Sequence, residues 1–183
     1  MKQIGHIKSN NNYSMLKCFI DKHSELSYNN LVLLTPASDL IKLFQERCDK
    51  FSDEEYWKNL AHSYIMQNYK KIPYKVYYEL FSSKRPKREY LMSEEEHSLL
   101  NKLPQQVKIF RGGTLTEQKT KKYGISWTLN QQIATNFANV KAIRDKKEMV
   151  VIEKIIEKKD IIAFFTERNE DEIIYIGNST FAT

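Results

Sequence analysis

The sequence predicts an α+β fold, a helical half over residues 1–105 and a strand-rich half over 106–183, together one compact unit. Two observations predict it. Apolar residues recur at three-to-four-residue spacing as far as Pro104, then at two-residue spacing from Val107 onward. The later segments of period two also follow one another more than they alternate with helical ones, which argues for α+β rather than repeated βαβ units.

The elements follow in order. Residues 1–30 are polar, and within them Leu16 to Ile20 reads as a short helix or strand. Leu31-Val-Leu-Leu34 is a brief apolar run, and Thr35-Pro36 reads as an N-cap with proline at the first helical position. The helix behind it puts Leu40, Ile41, Phe44, Cys48 and Phe51 on one face. Ser52-Asp-Glu-Glu55 is a capping box ahead of Tyr56, Trp57, Leu60, Ala61, Tyr64 and Ile65 at helical spacing. After Pro73, Tyr74 to Phe81 reads as an aromatic-rich helix, either packed on its neighbours or offering a stacking platform for bases. Ser82 to Tyr90 is a linker whose run Lys84-Arg85-Pro86-Lys87-Arg88 is either solvated or in contact with phosphates. A second capping box, Ser93-Glu-Glu-Glu96, starts a helix with Leu99, Leu100 and Leu103. Strands are then expected from Val107, over Tyr123 to Thr128, Met149 to Ile156, Ile161 to Phe165 and Glu172 to Ile176. A lysine-containing loop follows the first, and a helix capped by Asn130 follows the second.

Composition narrows the function classes. An apolar fraction of 41% with 12% aromatics supports a packed core in 183 residues. The net charge of +6 suits an anionic partner, whether nucleic acid, a dinucleotide or an acidic protein face. Cys18 and Cys48 have no CxxC partner, and His6, His23, His62 and His97 show no ligand spacing, so no metal is expected. No apolar run resembles a signal peptide or a membrane span, and the expectation is a cytoplasmic protein. The dinucleotide fingerprint GxGxxG is absent, against a Rossmann dehydrogenase.

Three pieces carry chemistry. Arg111 ends an apolar strand and is followed by Gly112 and Gly113. Glycine there lets a ligand approach the backbone, and the guanidinium fork suits a phosphate; a solvent-facing strand end and turn is the alternative. In Gly124-Ile-Ser-Trp-Thr128, alternation puts Ser126 and Thr128 on one side and Trp127 on the other. Two hydroxyls on one side can orient a carboxylate or ribose, or the segment is simply a strand of β-formers. In Glu170-Asp-Glu172, an extended chain points both glutamates the same way. Two such carboxylates can divide roles in cleavage through an oxocarbenium-like state, or form an acidic turn.

The ordered set Phe110-Arg111-Gly112, Ile125-Ser126-Trp127-Thr128 and Glu170-Asp171-Glu172-Ile173 resembles the ADP-ribosyltransferases of the arginine–serine–glutamate type. Gly124-Ile-Ser-Trp-Thr-Leu, Ala134-x-x-Phe-Ala138 and Arg168-x-Glu-x-Glu-Ile-Ile resemble a group of small bacterial and phage proteins of that fold, over roughly residues 107–176. The family's usual Ser-Thr-Ser is Ser-Trp-Thr here. The resemblance implies a split β-sandwich with NAD, as substrate, between two small sheets. By it, Arg111 binds the dinucleotide and the Gly112 backbone binds the nicotinamide amide. Ser126 positions the catalytic Glu172, Thr128 supports the strand, and Phe137 or Trp127 walls the nicotinamide ring. Glu172 stabilises the oxocarbenium ion, Glu170 orients the acceptor, and Arg168 lies in the loop that meets it. The expected activity is mono-ADP-ribosyl transfer to a protein side chain, arginine being the acceptor that a glutamate at position 170 implies; nucleic acid is a further possible acceptor. An NAD glycohydrolase with water as acceptor, and an inactive basic module that binds nucleic acid, are the competing expectations.

Overall fold

The computed structural model describes residues 5–67 and 72–177, with side chains described from Ser14 onward. The side chain of His6 and the expected β-half residues 178–183 lie outside that range. The chain falls into two compact units, Met1–Lys71 with Arg85–Tyr90, and Ile72–Lys84 with Leu91–Thr183. The division expected between 105 and 106 is thus displaced, because two helices ahead of the first strand belong with the sheet.

The first unit is helical: α1 (Gly5–Lys22), α2 (Tyr28–Leu34), α3 (Leu40–Arg47) and α4 (Asp53–Met66). Leu16, Ile20, Leu31, Val32, Leu40 and Leu43 form its apolar cluster. The Ser52–Glu55 capping box closes reciprocally, as its spacing predicts. Thr35-Pro36 does not start α3. The Thr35 N–H bonds to the carbonyl of Val32 and ends α2, and a short 3-10 turn, Ala37–Asp39, stands before α3. Proline's fixed φ suits that turn as well as it suits a helix start. Cys48 and Phe51 fall beyond the end of α3, Cys48 in a second 3-10 turn. The linker run is neither merely solvated nor available for phosphates throughout. Arg85 donates to the carbonyls of Phe51 (2.9 Å) and Cys48 (3.2 Å), and Lys87 lies 3.8 Å from Glu54.

The second unit holds α5 (Tyr74–Phe81), α6 (Glu94–Lys102), β1 (Gln106–Thr114), α7 (Leu115–Thr120), β2 (Ser126–Thr128), α8 (Gln131–Asp145), β3 (Met149–Glu157), β4 (Ala163–Phe165) and β5 (Glu172–Ile174). The strands form one antiparallel sheet in the order β3-β1-β2-β5-β4. The described strands make a single sheet where the resemblance implies two, because β2 pairs with β1 on one side and β5 on the other. One face is apolar: Val107, Ile109, Trp127, Ile152, Ile156, Phe164 and Ile173 pack there, with Leu99, Leu100 and Leu103 of α6 against them. The other face meets α8 at Gly112. A Cβ on Gly112 would stand 2.5 Å from the Ala134 carbonyl oxygen and 2.6 Å from the Ala138 nitrogen. In α5, Leu80 and Phe81 are buried and the Tyr74 hydroxyl donates to the Ile176 carbonyl at 2.7 Å, so its aromatics pack more than they offer a platform. Among the described residues, no helix is long and apolar enough to cross a membrane.

Candidate active site

The site is assembled where β1, β2 and β5 lie side by side. Thr128 stands across from Phe110 on one side and from Glu172 on the other, and Ser126 stands across from Ile174. Cross-strand partners share a face, so Ser126, Thr128 and Glu172 share one while Trp127 and Ile173 share the opposite one.

On the first face the Ser126 hydroxyl donates to Glu172 Oε1 at 2.5 Å. Thr128 Oγ1 donates to the Glu170 carbonyl at 2.6 Å and accepts the Asn130 N–H at 3.0 Å. The strand hydroxyls therefore fix the carboxylate and the root of the loop before it. Arg168 completes the group: its Nη2 donates to Glu172 Oε2 at 2.7 Å, and its Nε lies 3.5 Å from Glu170 Oε2. The Glu172 side chain is only 5% exposed, against 38% for Arg168.

The loop is not extended as the sequence reading supposes. Asn169 (φ 52°) and Asp171 (φ 45°) are both left-handed, a conformation that Asn and Asp tolerate best among residues with a Cβ. Glu170 and Glu172 converge through this turn and their common arginine, not through strand alternation. Burial raises the Glu170 carboxyl above its ordinary range; the Glu172 charge adds to the rise and the Arg168 charge opposes it. The loop's other root is held by α6. Glu96 Oε2 accepts the Ser93 N–H in the capping box, while its Oε1 accepts the Thr166 N–H at 3.0 Å.

Arg111 reaches the same place by another route. Its position alternates with Val107 and Ile109 and it stands across from Ile152, so its stem leaves the sheet on the apolar face. Nη1 donates to the Ser126 carbonyl at 2.7 Å, while Nε (3.3 Å) and Nη2 (3.0 Å) donate to Glu117 Oε1. Gly124 makes room for this, since a Cβ there would lie 2.5 Å from Nη2. Arg111 and Glu172 thus both meet Ser126, one at its carbonyl and one at its hydroxyl, from opposite faces. The expectation that both look into one cleft is corrected accordingly: strand parity sets Arg111 to brace the serine's backbone.

Glu117 was not anticipated. It sits in α7, inside what reads as a lysine-containing loop. Thr114-Leu-Thr-Glu117 is nevertheless a capping-box pattern, and it closes with Glu117 Oε2 on the Thr114 N–H (2.8 Å) and Thr114 Oγ1 on the Glu117 N–H (3.0 Å). Burial pushes Glu117 up, but the Arg111 charge and the Thr114 N–H outweigh it and hold the carboxyl below its usual range. Lys141 of α8 is a second unanticipated residue, donating to the Gly112 carbonyl at 3.1 Å. Burial, then the Arg111 charge, lower its pKa to about 8.

Two further expectations change. The space that glycine creates at position 112 is filled by the backbone of α8, so at that position the missing side chain serves helix–strand packing and not the approach of a ligand. Trp127 lies in the apolar cluster, 2% exposed, on the face away from the Ser126 hydroxyl, with Tyr123 and Tyr175 edge-on to it. It cannot wall a ring held beside Glu172. Phe137, on the exposed flank of α8, keeps that option. A hollow of about 440 Å³ opens on the Trp127 side, lined by Tyr123, Trp127, Lys154 and Tyr175 among others. Among the described residues, no three His, Cys, Asp or Glu side chains gather to hold a metal ion. No family model, curated protein or solved structure matches the chain.

Proposed function

We propose that the chain is an NAD-dependent mono-ADP-ribosyltransferase that cleaves the nicotinamide–ribose bond and transfers ADP-ribose to a protein side chain, arginine above all. The observation that carries this reading is the 2.5 Å hydrogen bond from Ser126 to Glu172, between residues 46 positions apart. It holds one carboxylate rigidly, with a second acid, Glu170, beside it on a common guanidinium.

As nicotinamide leaves, positive charge develops at the ribose C1′ and ring oxygen. A fixed carboxylate stabilises that charge without reorganising, and Glu172 is held by Ser126 at one oxygen and Arg168 at the other. Glu170 attracts a cationic acceptor, and its raised pKa suits it to take the acceptor's proton. In this reading Phe137 walls the nicotinamide and Arg111 braces the serine strand. The ADP-ribosyltransferase-like fold belongs to the same proposal, which asks that the serine strand lie beside the glutamate strand, as β2 lies beside β5.

Incubation with labelled NAD and a cell lysate, following both released nicotinamide and label on protein, tests the reading. Glu172→Gln is expected to lower both by about 10²-fold, the usual scale for removing one preorganised charge-stabilising group. Equal labelling by that variant sinks the assignment. Nicotinamide release with no labelled macromolecule points to the glycohydrolase instead.

A further inference from the structure

The hollow of about 440 Å³ on the Trp127 side of the sheet takes no part in the proposed reaction, since Trp127 and Glu172 lie on opposite faces. We infer that it is a second binding site, for a nucleoside monophosphate, with the base among its aromatic rings and the phosphate on its lysines. The inference goes beyond the transferase reading and does not need it.

A lysine stands where the sheet's register calls for an apolar residue. Lys154 is across from Ile109, between Ile152 across from Arg111 and Ile156 across from Val107, so its stem leaves β3 on the packed face. A cation on such a face is costly to desolvate unless something pairs it. Among the described residues Lys154 forms no ion pair, and Glu153, an acid lining the hollow, lies 2.8 Å from Lys108 instead. Lys154 Nζ donates to the Tyr175 hydroxyl at 3.0 Å and stands 4.7 Å from the centre of that ring and 6.0 Å from the centre of Tyr123. The Tyr175 hydroxyl accepts that bond and keeps its own proton to donate, and the ammonium keeps further N–H groups to give. Lys121 adds a second cation to the lining, and the buried Trp127 Nε1–H has no acceptor among the described residues. The hollow is thus rich in donors and poor in acceptors, and an anion is the ligand that answers this.

The walls suit more than a bare anion. Tyr123 and Tyr175 stand edge-on to Trp127, with ring centres 5.3 and 6.3 Å from it. Aromatic walls of this kind take a base by stacking or edge contact. The volume lies near the lower end of the range for small-molecule sites, roughly 300–1,000 Å³, which suits one base with its sugar and phosphate rather than a dinucleotide. Lys121 and Lys154 together suit a phosphate monoester, of charge about −1.5 to −2 at neutral pH, better than a carboxylate.

The test titrates the whole chain, without NAD, with AMP, adenosine and inorganic phosphate, by calorimetry and by the indole N–H signals of the two tryptophans. One AMP is expected per chain, bound at least about 10-fold more tightly than either fragment, because base and phosphate each add contacts. The Trp127 signal is expected to move, while that of Trp57, already bonded to the Pro86 carbonyl at 2.8 Å, stays in place. Lys154→Met is expected to weaken AMP by about 10- to 100-fold, the scale of one charge-assisted hydrogen bond, and Tyr175→Phe by less. The Trp127 signal of the parent chain needs no variant, so it decides even where Lys154→Met does not fold. AMP that moves neither signal, or both alike, overturns the inference, as does equal binding by a folded Lys154→Met chain. Adenosine that binds as well as AMP overturns the phosphate, and phosphate that binds as well as AMP overturns the base. NAD that moves the Trp127 signal and displaces AMP overturns the separation of this hollow from the site at Glu172.

Discussion

Two arginines meet carboxylates near Ser126, and their surroundings give them opposite characters. Arg111 is locked between a strand carbonyl and a glutamate that is itself fixed by the capping box of α7. Arg168 stands on a turn with left-handed residues at 169 and 171, half open to solvent, and bridges two acids four and two residues away. The same ion-pair chemistry thus serves as a largely buried brace in one place and as a part-exposed bridge between two acids in the other. What separates them is how many partners are themselves held.

The sharpest way to break the comparison is to truncate each arginine. Arg111→Met is expected to cost about 2 kcal/mol in denaturant unfolding, since it leaves Glu117 and the Ser126 carbonyl without their partner in a largely buried setting. Arg168→Met is expected to act through titration, because it removes the attraction that opposes the upward displacement of Glu170. A group whose folded pKa is raised loses stability as pH rises through that range, so this variant should lag the parent more at pH 8 than at pH 5. Equal, pH-independent losses in both variants would erase the distinction. Thr114→Ala is a smaller perturbation, of about 1 kcal/mol, because it removes the N-cap of α7 and loosens the glutamate that holds Arg111. A loss near zero would show that Glu117 needs no cap to stay in place.

Smallest is the effect of Glu170→Gln on stability. Protonation of the parent residue is favoured by folding, so keeping Glu170 ionised is a penalty that is absent at low pH and present at neutral pH. The melting temperature of the variant relative to the parent should therefore rise between pH 4 and pH 7, and a fall would reverse the sign argued for this carboxyl.

What was legible in the sequence follows from what is local. The change of period at Val107 marks β1, and reciprocal capping at Ser52 and Ser93 marks α4 and α6, because a cap is a short-range bond between named residues. Of the 18 residues of α1 only Leu16 to Ile20 were legible, as a short helix or strand, since its Asn10-Asn11-Asn12 stretch has poor helix propensity. Within the site, the facing of Ser126 and Thr128 against Trp127 follows from strand alternation alone. The convergence of Glu170 and Glu172 does not, because it depends on Asp171 leaving the extended region. Nor was the brace on Ser126 visible. Alternation does place Arg111 with Val107 and Ile109, but its carboxylate partner sits in a six-residue helix whose only signal is Thr114-x-x-Glu117.

Glu96 divides its two oxygens between the first turn of α6 and the amide that opens the Arg168 loop. At its far end the loop runs into a strand paired on both flanks. The five residues from Glu167 to Asp171 are thus strung like a footbridge between two anchored piers. A stay from Thr128 to the Glu170 carbonyl steadies the span near its far end, so lengthening it or shifting either abutment by one residue would carry Glu170 out of line with the serine beneath.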